Sequence, residues 1–310
     1  MASCISRVLH SLSRNALGAV GAAALAPALA ANGALTSLEL RGNWLGDKGW
    51  GTIFAAICGN KDSKIMSLDA RASENIGPAG VKLIAEALRT SVTGGLTSLD
   101  LSNNLLCGVT TFSGGTYTAE GITAIAEALR VNGGLTSIDL SLNQLCGIWT
   151  DGYGNPQGTY TAEGIAAIAD ALRVNGVLTA LNLSSNSLKD EGVNAVCEAI
   201  QSNKETKLAS LNFSDNSIGP VGANAVAAMV AVTGALTKID VSWNSFGPEG
   251  AKVFADALRV NGALTSIDLS ENKLCGVWAD DDYEYGNYTA EGITAIADAL
   301  RVNGALTKIE

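Results

Sequence analysis

The chain has a single histidine, His10, in 310 residues. That excludes a metal site built from several imidazoles and any plausible Cys–His catalytic pair. Six cysteines stand at 4, 58, 107, 146, 197 and 275, with no C-x-x-C pairing. This is not a disulfide framework, so a reducing compartment is expected. Aromatic residues make up only 5% of the chain, whereas apolar residues reach 47% and glycine 35 positions. Small aliphatics and glycines at that level suit thin, repeated layers better than one large globule. Basic residues are few: 20 Lys and Arg against 30 Asp and Glu, a formal net charge of −10. A basic face for a phosphate backbone is missing, which excludes nucleic acid as the main partner. No apolar run of transmembrane length occurs, so no membrane insertion is expected.

Catalytic signatures are missing as well. There is no G-x-x-x-x-G-K-S/T phosphate loop and no G-x-S-x-G elbow. Gly152-Tyr-Gly154 belongs to a glycine-rich loop and does not fit a dinucleotide fingerprint. The expectation is a protein with no catalytic residues, no metal, no cofactor and no small-molecule substrate.

What is present is a repeat. Leu96-Thr-Ser-Leu-Asp-Leu-Ser-Asn-Asn104, Leu135-Thr-Ser-Ile-Asp-Leu-Ser-Leu-Asn143 and Leu264-Thr-Ser-Ile-Asp-Leu-Ser-Glu-Asn272 share the form L-x-x-L-x-L-x-x-N. The leading position recurs at 35, 65, 96, 135, 178, 208, 236, 264 and 306, with a shortest step of 28 residues. Each unit opens with period-2 alternation: Leu99 and Leu101 face inward, Ser98, Asp100 and Ser102 outward. A 3.6-period stretch follows. In Thr118-Ala-Glu-Gly-Ile-Thr-Ala-Ile-Ala-Glu-Ala-Leu129, the residues Ile122, Ile125, Ala126 and Leu129 form one stripe. Thr118 reads as its N-cap and Asn132-Gly133 as a left-handed stop. Strand, helix and parallel strand make a right-handed crossover, so stacked copies form an α/β solenoid of about nine strands with a concave parallel sheet and convex helices. Asparagines 43, 104, 143, 186, 216, 244 and 272 turn the chain out of each strand, a structural role.

The unit resembles the ribonuclease-inhibitor type of leucine-rich repeat, which also occurs in NOD-like receptors and in the activator of the Ran GTPase. The resemblance covers about Asn15 to Glu310. It implies a protein-interaction scaffold that receives a protein partner on its concave strand face. The alternative it implies is a GTPase activator using an exposed arginine, with Arg41 and Arg71 the concave candidates. Two departures stand out. Glu74 occupies a ladder position in the second unit, and Ile309-Glu310 falls inside a strand with no closing cap, which reads as a fragment of a longer protein. Residues 1–14 read as an N-terminal cap or a targeting segment, and residues 15–310 as the repeat domain. The expected location is cytoplasmic, or an organelle if residues 1–14 are a transit peptide.

Three units are enlarged. From ladder asparagine to helix-opening glycine an ordinary unit needs 6 residues, Asn244 to Gly250; the enlarged ones need 17, 21 and 20. The inserts fall near 107–118, 146–161 and 275–289, all between strand and helix, so all project from one edge. They carry most of the aromatics, and long loops on a rigid scaffold concentrate binding residues. The partner-binding candidates are Trp149, Tyr153, Trp278, Tyr283 and Tyr285 in the inserts. On the sheet they are Asp100, Asp139, Asn182, Asn212, Lys238 and Asp240, with Trp243 at a strand end. The sharpest expectation is a bay between the second and third inserts, four strand steps or about 19 Å wide. Its floor is Asn182, Asn212, Lys238 and Asp240, its walls Trp149 and Trp278, and its anchor Trp243. Tyr117, Tyr160 and Tyr288, beside helix starts, are expected to pack onto the rim.

Overall fold

A computed structural model describes residues 12–71, 76–91, 94–110, 114–151, 153–279 and 284–310. The chain alternates strand and helix throughout. It begins with α1 (Gly18–Ala31), β1 (Ser37–Glu39), α2 (Gly46–Gly59), β2 (Ser67–Asp69), α3 (Pro78–Arg89) and β3 (Ser98–Asp100). The first insert then forms the hairpin β4 (Val109–Thr110) and β5 (Gly114–Gly115), followed by α4 (Glu120–Val131) and β6 (Ser137–Asp139). The second insert is β7 (Ile148–Thr150) and β8 (Pro156–Gly158), leading into α5 (Glu163–Leu172). Three short units give β9 (Ala180–Asn182), α6 (Lys189–Ser202), β10 (Ser210–Asn212), α7 (Pro220–Val232), β11 (Lys238–Asp240) and α8 (Gly247–Val260). The chain closes with β12 (Ser266–Asp268), the third hairpin β13 (Val277–Ala279) and β14 (Glu284–Gly286), α9 (Glu291–Leu300) and β15 (Lys308–Ile309).

Nine strands form one parallel sheet in the order β1-β2-β3-β6-β9-β10-β11-β12-β15, each three-residue strand pairing in equal register with the next. The order is sequential because every crossover holds one helix, preceded in three of them by a hairpin, and each helix packs on the next along the stack. The central residue of each three-residue strand of this sheet is buried, and Leu99, Leu101, Ile138 and Leu140 are sealed beneath the helices. Phe213, Phe246 and Phe254 fill the wider layers, with the Phe246 and Phe254 rings stacked at 5.3 Å. Among the described residues no helix is long and apolar enough to cross a membrane.

Two asparagine ladders bind the layers. At the strand exit, Asn143 Nδ2 donates to Leu101 O of the unit before (3.0 Å) and to Leu140 O of its own (3.1 Å). Its Oδ1 accepts the Asn104 amide at 3.2 Å, and Asn186 in turn accepts the Asn143 amide at 2.9 Å. These side chains satisfy buried backbone groups that the turn leaves without ladder partners. The ladder starts earlier than the sequence pattern reveals: Asn15 donates its amide to Asn43 Oδ1, and Leu12 pairs with Glu39 O.

The second ladder corrects the expected left-handed stop at Asn132-Gly133. Asn132 is extended, with φ −74° and ψ 119°, and its side chain reaches back to Leu88 O of the preceding helix. Asn60, Asn175, Asn203, Asn261 and Asn303 do the same. Each Oδ1 also accepts an amide two residues on, or three, as with Gly134 and Leu135 on Asn132. A partner one unit away replaces the local glycine cap. Helix α4 likewise starts at Glu120, and Thr118 serves it by accepting the Glu120 amide at 3.3 Å.

Candidate functional site

The concave face is a sheet of hydroxyls and carboxylates. Asp100, Asp139, Asp240 and Asp268 each point one carboxylate oxygen at the serine two residues on. Asp139 Oδ1, for instance, accepts both the Ser141 amide at 2.9 Å and its hydroxyl at 2.6 Å. That fold-over buries Ser102, Ser141 and Ser242. Asp139 Oδ2 accepts Asn182 Nδ2 at 2.8 Å.

A shallow hollow of about 210 Å³ opens on this sheet across β6, β9, β10 and β11. Asp139, Asn182, Asn212, Lys238 and Asp240 line it, so five of the candidate residues meet around one concavity. Asp100 stands one strand farther along, beside Asp139, and Arg71 reaches it at 3.9 Å after pairing with Asp69 at 3.1 Å. Two carboxylates, two amides and one ammonium make a lining of mixed charge with many acceptors, suited to polar and basic groups and without the geometry of an acid–base pair.

Trp243 lies three residues past Asp240. Its indole is 64% exposed, and its backbone is left-handed with φ 55°. The same position is left-handed at Asn103, Leu142, Ser185, Asp215 and Glu271. A bulky side chain there carries a strain of roughly 1 kcal/mol or more. The Trp243 amide donates to Ser270 O at 3.0 Å, so an exposed ring sits on a fixed backbone. Trp44, on the other side of its ladder asparagine, is also left-handed (φ 55°) and 69% exposed. Sequence reasoning passed over it, although an aromatic beside a ladder asparagine is the signal that singled out Trp243.

The inserts are antiparallel hairpins on the edge where strands end and helices begin. In the second, Asp151 organises the tip: its Oδ1 accepts the Tyr153 and Asn155 amides, both at 2.9 Å, and its Oδ2 accepts Gln157 Nε2 at 3.1 Å. Those bonds, the Asn155 amide foremost, hold the Asp151 carboxyl below its ordinary range. The ordered tip presents Tyr153, 92% exposed.

Trp149 does not face the bay. Its ring lies over Gly114 of the first hairpin, on the far side from the short units. A Cβ at Gly114 would meet Trp149 Cζ2 at 3.1 Å. The first two inserts sit in neighbouring units and pack together, which turns this tryptophan inward along the edge. In the third hairpin the backbones of Trp278 and Tyr285 pair across the strands; Tyr283 lies outside the described residues, as does Glu74.

Tyr117 and Tyr160 pack against the core rim, and each hydroxyl donates to a backbone carbonyl 28 residues on: Tyr117 to Leu145 at 2.9 Å, Tyr160 to Leu188 at 2.8 Å. Burial raises both phenols above their usual range. Lys189 Nζ sits 4.8 Å from the Tyr160 ring centre. Tyr288, the corresponding residue of the third insert, is exposed.

The leucine-rich repeat model matches residues 34–51, 174–197, 204–227 and 236–255. No curated protein matches the chain in sequence. Among solved structures, the leucine-rich repeat-containing protein LegL7 from Legionella pneumophila superposes with a TM-score of 0.56 at 19% identity, covering 96% of this chain and 81% of that one. The tropomodulin C-terminal domain of Caenorhabditis elegans gives 0.41 at 15% identity over 59% of this chain and 92% of that one. Leiomodin-1 actin-binding site 2 gives 0.40 at 16% identity over 59% and 88%. With its in-register parallel sheet, its asparagine ladder and its 28-residue strand–helix unit, the chain has a leucine-rich-repeat fold, a right-handed solenoid of parallel strands and outer helices.

Proposed function

We propose that the chain is a non-catalytic scaffold that receives a protein partner in the bay over β9, β10 and β11, between the second and third hairpins. Leucine-rich-repeat proteins serve in general as protein-interaction scaffolds. The observation that carries the reading is the pairing of the hollow at Asp139, Asn182, Asn212, Lys238 and Asp240 with Trp243, an exposed ring held on a strained, hydrogen-bonded backbone. Exposed aromatics on rigid backbone lose little entropy on docking, and tryptophan and tyrosine dominate interface hot spots. Tyr153, whose backbone amide Asp151 holds at the hairpin tip, offers a second exposed ring. The bay, about 19 Å across four strand steps, admits a helix of roughly 10–12 Å with its side chains. The acceptor-rich floor selects a partner segment carrying lysine or arginine. Of the two arginines that a GTPase activator would use, Arg71 is held by Asp69 and Asp100, and Arg41 is exposed.

A photo-crosslinking residue at Asn212 tests the reading, with one at Val221 on the convex side as control. Discrete protein adducts from position 212 and none from 221 support it. Equal labelling from both positions contradicts it.

A further inference from the structure

The edge opposite the hairpins, where helices end and strands begin, carries Asn-Gly five times, at 32, 132, 175, 261 and 303. Asn-Gly is the backbone step most open to self-attack, because glycine has no side chain to shield its amide nitrogen from the asparagine Cγ. Three of these steps lie inside the stack: Asn132-Gly133, Asn175-Gly176 and Asn261-Gly262. All three follow a valine, so local sequence makes them chemically alike and structure alone can rank them. The outer ladder restrains each. At Asn132 ψ is 119°, which points the Gly133 nitrogen away from Cγ, and Oδ1 is held by the Gly134 and Leu135 amides at 3.0 and 2.8 Å. Ring closure has to break those bonds.

The three restraints are unequal. Asn175 and Asn261 are buried, and each donates to a helix carbonyl at 2.6 Å, Leu129 O and Val230 O respectively. Asn261 also reaches Thr233 O at 3.5 Å, and a Cβ at Gly176 would lie 3.2 Å from Glu205 O, so the next unit covers that glycine. Asn132 is half-buried, its bond to Leu88 O is 2.8 Å, and the space beside Gly133 is open. The unit before it differs from the others. Leu88-Arg89-Thr90-Ser91 corresponds to Leu129-Arg130-Val131-Asn132, so a serine stands at the ladder position and the ladder is interrupted beside Asn132.

We propose that Asn132-Gly133 is a site of spontaneous covalent modification, where asparagine converts to aspartate and isoaspartate and the packing of α4 on α3 is loosened. The Gly133 nitrogen loses its proton to water and bonds to Asn132 Cγ. The Cγ–Nδ2 bond breaks, and Nδ2 takes up a proton and leaves as ammonia. Water then opens the cyclic imide at either carbonyl, giving aspartate or an isoaspartate whose chain runs through the side chain. Either product replaces the donor to Leu88 O with a carboxylate, which leaves that carbonyl without its partner. Isoaspartate also lengthens the backbone just before Gly134, where even a Cβ would collide with Gly94 O. This edge lies away from the bay, so the proposal does not depend on partner binding there.

The test incubates the full chain in mildly alkaline buffer, folded and in urea, and follows each step by peptide mass mapping. Methyl transfer from S-adenosylmethionine by an isoaspartyl methyltransferase marks the isoaspartyl product. In the folded chain Asn132 should convert about tenfold or more faster than Asn175 and Asn261, because local opening costs less there. In urea the three rates should converge. Gly133→Ala, whose added Cβ meets nothing within 4 Å, should slow conversion at Asn132 and leave Tm unchanged. Asn132→Asp should lower Tm by roughly 2–4 °C. Conversion of Asn175 or Asn261 in the folded chain at the Asn132 rate overturns the assignment of the site. A preference for Asn132 that persists in urea gives the ranking to local sequence and overturns it too. Wild-type Tm in Asn132→Asp overturns the loosening of the stack.

Discussion

The Trp149 indole lies over Gly114, so the first two hairpins form one packed pair while the third stands apart. Two consequences follow for hydrogen exchange. Trp149→Ala should speed exchange at the Val109 and Gly115 amides by tenfold or so, the effect of losing about 1.4 kcal/mol of local packing. The Val277 and Gly286 amides of the third hairpin should be unaffected. A change spread over all three hairpins would show that they are coupled through the solenoid and not through this contact.

The ladder asparagines predict the largest losses. Asn186 is buried; it donates to Leu140 O and Leu183 O and accepts the Asn143 amide at 2.9 Å. With the Leu145 amide, which also donates to Asn186 Oδ1, Asn186→Ala strands four buried backbone groups, each worth about 1–3 kcal/mol, so a loss of at least about 3 kcal/mol is expected in urea denaturation. Leu101→Ala, a cavity in the same stack, should cost roughly 2–5 kcal/mol. An Asn186→Ala midpoint within error of wild type would refute the role assigned to the ladder.

Asp190 caps a helix that is not its own. It sits in α6, and its Oδ1 accepts the Gly219 and Gly222 amides, at 2.7 and 3.0 Å, where α7 begins. Asp47 treats Gly77 before α3 in the same way, at 2.8 Å. Asp190→Ala should cost about 1 kcal/mol and expose those amides of α7 to exchange. Fraying confined to α6 would contradict the assignment.

Stability should fall in alkali. Burial pushes the Cys58 thiol up to about 11 and the Cys107 and Cys146 thiols up to about 12, and raises Cys197 as well. The fold therefore favours the protonated thiols. Their contribution is complete below the ordinary thiol value of about 8.5 and declines as pH rises from there toward 12. Urea midpoints at pH 7, 9 and 10.5 check this. Cys107→Ser/Cys146→Ser should flatten the slope between 9 and 10.5, and an unchanged slope would place the titration elsewhere.

These relationships mark where sequence reading stops. Strand, helix and ladder positions such as Leu99, Ile122 and Asn143 were legible because their periodicity lies within one unit. The links of Asn132 to Leu88, Asp190 to Gly219 and Tyr117 to Leu145 were not, because each joins neighbouring units and depends on stack geometry. Trp149 failed as a wall of the bay for the same reason: composition marked the ring as a candidate, but the adjoining insert decides which way it faces. The grouping of Asp139, Asn182, Asn212, Lys238 and Asp240 follows directly from in-register parallel pairing, which the equal spacing of the units already implied.

Trp243 offers a contrast between stability and binding. Asparagine tolerates left-handed backbone, so Trp243→Asn should leave Tm unchanged or raise it, the strain being relieved where little apolar surface is buried. A fall of several degrees would show that the ring stabilises the fold.

The most direct measurement compares proteins retained by immobilised wild-type chain with those retained by folded Trp243→Ala and Asp240→Lys variants, using Val221→Ser on the convex side as control. For any partner so identified, titration should show affinity weakened by about 2 kcal/mol or more, some thirtyfold, on loss of Trp243, and unchanged in the control. Wild-type affinity in both bay variants, with loss in the convex control, would contradict the concave bay as the site.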